Sequence, residues 1–470
     1  MNNTFLSDFI MITNFKTIAF IAVLVAILFG VNLMAKKKVK FSTRMIVSTI
    51  AGLILGVIIQ LVAGLPSDPS EVQWINEVNK WYGLIGYGFM DLLKMLVVPL
   101  IFVSIIRVII NMKAGENLGK LTTRSIFTLL GTTAIAAIVG IIVGNLFKLG
   151  VSSNVVQSTR KKREITPVVD TLRGLLPSNP VAAMAEGNVV AVVIFAAFIG
   201  NSMKILNKKY SDVIKPVTDL VNASYKIITS LTLTVMKMMP YALVALLANT
   251  IAGRGLAAIK EVVWFIVALY LSIIIVFIIH LIIIAMLGLN PITYVKKAME
   301  PLILAFTSRS SLGTLPVTIE TLTDKIGVDN GISSFVGSLG SNMGMNGCAA
   351  IYPALMAVTL ANMSGTKMDI SFYGMLIVEM NASFYAMLFI VITISSLGIA
   401  GLPGTTTMAV SVAISGMGMG AYFPLAGGII AIDPILDMGR TMLNVNGTMV
   451  TAVAVGKSFN KIDKEKYNSK

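Results

Sequence analysis

Apolar runs of bilayer length recur along the chain up to residue 287, separated by short polar breaks. The run at residues 17–34 is long enough to cross the hydrocarbon layer as a helix and is followed by Ala35-Lys-Lys-Lys-Val-Lys40. Basic breaks favour the cytoplasmic side, so this span begins outside. Runs at 46–63, 82–110, 125–147, 189–205, 218–251 and 262–287 predict further spans in alternation. The third carries Lys94 and Pro99, and the sixth contains Pro240. By alternation the polar loop 150–180, with Arg160-Lys-Lys-Arg163, is external. It runs against the positive-inside trend, as long loops can.

From residue 299 the pattern breaks. The stretch Thr307-Ser-Arg-Ser-Ser-Leu-Gly-Thr-Leu-Pro316 is too polar and interrupted for a spanning helix. So is Ser395-Ser-Leu-Gly-Ile-Ala-Gly-Leu-Pro-Gly404. Both contain Ser-Ser-Leu-Gly a few residues before Leu-Pro. Paired Gly/Pro-interrupted segments point to a transporter site built from inverted repeats. Irregular backbone at membrane depth must line a cavity or pack in protein. Two re-entrant hairpins, at about 299–325 and 390–415, are therefore expected. A further apolar helix holds Ser341-Asn-Met-Gly-Met-Asn-Gly-Cys-Ala-Ala350.

The last apolar helix carries a polar stripe. At about 100° per residue, Asp433, Asp437, Arg440, Thr441, Asn444 and Thr448 fall within an arc of roughly 100°. Charges at mid-bilayer cost about 2.5–3.5 kcal/mol each, so this face must turn inward. One reading is a structural Asp437–Arg440 pair at i, i+3. The other is a substrate cradle. Asp437 would accept an ammonium group and Arg440 a carboxylate by a two-pronged contact. Thr441 and Asn444 would add neutral hydrogen bonds, and the hairpin backbones would offer N–H groups to an anion. A ligand with both charges is an amino acid, and one with carboxylates at both ends also suits.

Composition narrows the class. The chain has 470 residues, 56% hydrophobic and 13% charged. Soluble domains average about 25% charged residues, so this is an integral, multi-pass membrane protein. The net charge of +15 sits in short clusters between spans, which suits a lipid surface rather than nucleic acid. The single cysteine, Cys348, excludes an internal disulfide framework. Residues 1–12 lack the basic start and cleavage site of a signal peptide. No GxxxxGK[ST] pattern supports ATP-driven transport, and no His/Cys cluster supports a metal enzyme. His280, isolated in Phe277-Ile-Ile-His-Leu-Ile-Ile, reads as a packed or interfacial histidine. The basic tail 457–470 is expected to be cytoplasmic and partly disordered.

The ordered motifs 307–316, 342–348, 398–404 and 433–448 resemble the dicarboxylate/amino acid:cation symporters, the glutamate-transporter family. Lys94-Met-Leu-Val-Val-Pro99 and Leu176-Pro-Ser-Asn-Pro180 extend the likeness over nearly the whole chain except the first span. The resemblance implies an all-α membrane fold with inverted repeats, two re-entrant hairpins and an extra N-terminal helix at 1–42. It implies scaffold and trimerisation helices within 43–260, with about 82–112 and 125–147 contributing to a transport domain. That domain's main part would be 261–456. The family works as a homotrimer by an elevator movement, with no cofactor and no enzymatic activity.

Carried over, Ser310, Ser311 and the backbone at Leu402, Pro403, Gly404, Thr405 and Thr406 would hold the α-carboxylate. Asp437 would hold the amino group and Arg440 the distal carboxylate, with Thr441 and Asn444 completing the pocket. Cys348 stands where the family has a threonine. The family's Asn-Met-Asp-Gly reads Gly344-Met-Asn-Gly347 here, and a late aspartate is Thr448. Two sodium sites are thereby weakened or lost, since a hard cation wants several charged oxygens. Hydroxyls of Thr132 and Thr133 remain. A mainly backbone site near Asn342, Met345 and Ser396 could survive. Asp433, Asn346 and Thr448 complete the ion-coupling candidates. Burial favours the neutral carboxyl, which makes Asp433 and Asp437 candidate proton carriers. Asn-Gly-Cys-Ala, then Ile-Tyr-Pro353, with Arg440 retained, resembles the family's bacterial cystine-uptake members. The expectation is L-cystine import at the plasma membrane, coupled to protons. The alternatives are a sodium-coupled glutamate/aspartate or C4-dicarboxylate symporter, or a gated anion channel.

Overall fold

The computed structural model describes residues 10–66, 68–110, 116–151, 178–185, 189–363, 382–398 and 406–468. The basic loop at 160–163 and the backbone at Leu402, Pro403, Gly404 and Thr405 lie outside these residues, and Thr406 is described only as the start of a helix. Helices of ten residues or more, in chain order, are α1 (Phe15–Lys36), α2 (Phe41–Val62), α3 (Gln73–Ile110), α4 (Glu116–Leu146), α5 (Val189–Leu206), α6 (Ser211–Met236), α7 (Met239–Arg254), α8 (Ala257–Met286), α9 (Pro291–Ser308), α10 (Ser311–Glu320), α11 (Asn330–Gly340), α12 (Tyr352–Met363), α13 (Ala382–Ser395), α14 (Thr406–Gly416) and α15 (Asp433–Ser458). Among the described residues, five helices are long and apolar enough to span a membrane, or up to seven if each bent pair is one span. The expected span at 218–251 is such a pair. Helix α6 ends at Met236, and α7 restarts with Pro240 in its first turn, where a missing N–H costs nothing.

The chain divides into two compact units. The first comprises Met1–Met95, Leu231–Val267 and Ala421–Leu436. Its core joins Phe20, Leu24, Ile59, Trp74, Ile75, Val78, Tyr82, Val244 and Ala248. Helices α2 and α7 cross closely at Gly52-xxx-Gly56. A Cβ on Gly52 would lie 2.7 Å from the Val244 carbonyl, and one on Gly56 would lie 2.7 Å from the Ile251 Cβ. Small residues at this spacing let backbones approach where lipid offers no hydrophobic drive. The Gln60 amide then donates to the carbonyls of Ile251 (3.2 Å) and Ala252 (2.7 Å) at the end of α7. Helix α1, the extra N-terminal span, is pinned to α3. Thr17 Oγ1 donates to Glu77 at 2.6 Å, Thr13 donates to the same carboxylate through its backbone (3.0 Å) and its hydroxyl, and Tyr82 donates to the Phe20 carbonyl at 2.8 Å.

The second unit comprises Leu96–Ser230, Ala268–Gly420 and Asp437–Lys470. Its core includes Ile284, Tyr294, Leu302, Leu322, Val336, Met449 and Val453. Asn290 caps α9 through Ile292 and Thr293 N–H, with Pro291 at the first helical position. Helix α9 ends where Arg309 adopts φ 55°, and Ser310 N-caps α10, so two residues join two helices that pack on each other. Helices α13 and α14 also pack together, with a 3-10 turn at Ser396–Gly398 after α13. Helix α4 meets the 346–363 segment at a second Gly-xxx-Gly. A Cβ on Gly140 would lie 2.9 Å from that of Ala354, and one on Gly144 would lie 3.3 Å from Leu355 and Val358. The tail differs from expectation. Ile462 bridges Val328, Lys464–Asn468 is helical, and Tyr467 is buried with its hydroxyl on the Asn290 carbonyl at 2.8 Å. One buried aromatic anchors a segment whose basic composition suggested otherwise.

Candidate functional site

The second unit gathers the middle of the stripe around a stretch where helix winding fails. Gly344 has φ +66°, and Asn346–Ile351 winds as a π-helix before α12 continues. Such wide turns recur at functional sites because they free backbone groups. Two of these groups, the N–H of Gly347 and of Cys348, donate to Asn444 Oδ1 at 2.8 and 3.1 Å. The approach requires glycine, since a Cβ on Gly347 would lie 2.5 Å from the Arg440 carbonyl oxygen. Asn444 thus ties the wide turn to α15 and keeps its Nδ2 as a donor.

Asp437 and Arg440 form a buried i, i+3 ion pair, Nη2 to Oδ1 3.4 Å, with Arg440 fully enclosed. Thr441 Oγ1 donates to the same carboxylate oxygen at 3.3 Å, and the Cys348 thiol approaches it at 3.9 Å. The Arg440 guanidinium lies over the Tyr352 ring, 4.0 Å from its centroid. A cation desolvated against an aromatic face is stabilised by about 2 kcal/mol. The structure therefore brings together Cys348, Asp437, Arg440, Thr441 and Asn444, and adds Tyr352, which sequence reasoning missed. Its place one turn after Cys348 was the available signal.

Other residues fall elsewhere. The Ser310 hydroxyl caps its own helix through Gly313 N–H at 3.0 Å, and Ser311 is buried as the first residue of α10. Asp433 is buried in the first turn of α15 but belongs to the segment 421–436 of the first unit. The Asn342 amide folds back onto the Ser338 carbonyl at 2.9 Å. Met345 is buried ahead of the wide turn, and the Ser396 carbonyl accepts the Gly344 N–H at 3.1 Å, joining the two broken regions. Thr448 donates to the Asn444 carbonyl at 3.0 Å and packs so tightly that a Cβ on Gly340 would lie 2.5 Å from its hydroxyl. Asn346 faces Thr132 and Thr133 on one side and His280 on the other.

The sequence profile of the sodium:dicarboxylate symporter family matches residues 41–458. Curated relatives include the L-cystine uptake protein TcyP of Shouchella clausii, 36% identical over 471 aligned positions that cover 97% of each chain. The protein of that name from Bacillus anthracis is 36% identical over 466 positions, and that from Bacillus licheniformis 35% over 465, each covering 96% of both chains. The family profile begins after α1, whereas these alignments leave too little of the chain uncovered to omit it.

Proposed function

Because the chain belongs to the sodium:dicarboxylate symporter family, it is a multi-pass membrane transporter rather than an enzyme, and we propose that it imports L-cystine by secondary active transport. The observation that carries the substrate is the Asp437–Arg440 pair, buried side by side with Thr441, Asn444 and Cys348 around it. Separating a buried pair leaves two uncompensated charges, at about 3–5 kcal/mol when one partner is lost. A zwitterion replaces both partners at once. Its ammonium takes Asp437 and a distal carboxylate takes Arg440, while a plain dicarboxylate leaves Asp437 facing a like charge. Cystine carries such a head at each end, so one head uses Asp437 and the Asn444 amide while the far carboxylate reaches Arg440. The family resemblance assigns the α-carboxylate to Ser310, Ser311 and the stretch 402–406.

The proposed coupling ion is the proton. Asn346 and Thr448 stand where the family resemblance leads one to expect carboxylates, and both are committed to hydrogen bonds within the protein. The further reading is a homotrimer in which α9–α10 and α13–α14 act as re-entrant gates of inverted repeats. The transport domain then moves as an elevator against a scaffold. Two compact units, each with its own buried core, support a division into moving and anchoring parts. Sodium-driven uptake of a dicarboxylate is the second reading, favoured by the family's description. Binding competition decides between them. Purified protein is expected to exchange labelled cystine against unlabelled cystine and not against succinate. Equal displacement by succinate would overturn the zwitterion argument.

A further inference from the structure

The chain contains one histidine. His280 is buried within α8, with both ring nitrogens against asparagines. The terminal amide of Asn346 sits 2.9 Å from Nε2, and that of Asn446 sits 2.9 Å from Nδ1. The Tyr294 hydroxyl donates to Asn446 Oδ1 at 2.9 Å. The other end of the Asn346 amide lies 3.4 and 3.5 Å from the hydroxyls of Thr132 and Thr133. Each threonine has one proton to donate, and the nearer acceptor is the Leu129 carbonyl, at 3.0 and 2.8 Å.

Donor counting fixes the protonation. A neutral imidazole offers one N–H and one lone pair, so it cannot face two NH2 groups. One asparagine must present its oxygen, which a half-turn of the amide achieves without moving heavy atoms. Turning Asn446 would strip the Tyr294 O–H of its acceptor. Turning Asn346 aims its NH2 at two threonine oxygens that have only lone pairs left. Only the second arrangement satisfies every group, as buried polar networks require.

We infer that His280 is held neutral with its proton on Nε2, donating to Asn346 and accepting from Asn446, and that in this form it is a positioning residue for the substrate cradle. The route is short. Asn346 precedes the two N–H groups that Asn444 holds, and Asn446 lies two residues beyond Asn444 on α15. His280 therefore spans the wide turn and α15 on both flanks of that contact. The helix makes room for the clasp at Gly447, where a Cβ would lie 2.9 Å from the Asn346 amide. This role rests on the cradle proposed above, whereas the tautomer does not.

The test uses the full-length protein in nanodiscs. With ¹⁵N-labelled histidine, the single imidazole is expected to give one bare nitrogen, Nδ1, and one protonated nitrogen, Nε2. An Nδ1–H tautomer or an imidazolium overturns the assignment. In uptake, His280→Phe removes both hydrogen bonds and is expected to raise the apparent KM for cystine about tenfold or more. His280→Gln supplies one donor and one acceptor and is expected to stay within about threefold of wild type. A wild-type KM in His280→Phe, or a tenfold rise in a folded His280→Gln, overturns the positioning role. Should His280→Phe not fold, the Gln variant and the tautomer decide. Wild-type protein that exchanges no cystine would refute the function while leaving the tautomer result standing.

Discussion

Neutralising Asp437 and Arg440 together separates what the pair does for the fold from what it does for transport. The charged atoms are 3.4 Å apart and out of water. At an effective dielectric constant of about 20 their attraction is about 5 kcal/mol. That agrees with the roughly 3–5 kcal/mol lost when one member of a buried pair is removed. Asp437→Asn and Arg440→Met are each expected to destabilise the protein by that amount. The double variant leaves no orphaned charge and should recover most of the loss. It still forfeits the Arg440–Tyr352 contact, worth about 2 kcal/mol. Thermal unfolding of all four proteins in one detergent gives the cycle, and labelled cystine uptake gives the function. The double variant should lie about 2 kcal/mol below wild type, above either single variant, and be inactive. Additive destabilisation would show that the pair is not coupled, and uptake by the double variant would remove it from the substrate site.

Asn444→Ala leaves the N–H groups of Gly347 and Cys348 without their acceptor, at about 1–3 kcal/mol each. Its apparent KM for cystine should rise at least about tenfold; a KM near that of wild type would show that the wide turn is held by other groups. Gly52→Leu forces a side chain against the Val244 backbone and should cost about 1–3 kcal/mol in thermal stability. Gly30→Leu, with open space around it, is the neutral control, and equal losses would refute the close crossing. Glu77→Ala removes the acceptor that Thr13 and Thr17 share, so amide exchange at the start of α1 should accelerate while the core of the second unit stays protected. Unchanged exchange there would mean that α1 is held by packing alone.

Five long spans among the described residues were legible because bilayer length and apolar content are local properties, and the stripe on α15 because a helix repeats every 3.6 residues. The cradle needed one step more. Gly347 and Cys348 reach Asn444 from nearly a hundred positions away, and only a family resemblance set those motifs side by side. The break between α6 and α7 was hidden because Pro240 in a first turn looks like a tolerated proline within one long apolar run. His280 read as a packed histidine because its partners lie 66 and 166 residues distant. Nothing within its own helix hints at asparagines on both sides. The tail misled for the opposite reason. Its basic composition dominates any window, while its placement depends on Tyr467 filling a site beneath Asn290 and on the bridge from Ile462 to Val328.

Uptake of radiolabelled cystine into proteoliposomes, with the sodium and proton gradients set independently, measures substrate and coupling at once. Saturable uptake driven by an inward proton gradient without sodium is expected. The same uptake is expected to disappear in the Asp437→Asn/Arg440→Met variant. Uptake that follows the sodium gradient and ignores the proton gradient would contradict the coupling. The absence of saturable cystine uptake under any gradient would contradict cystine transport by this protein.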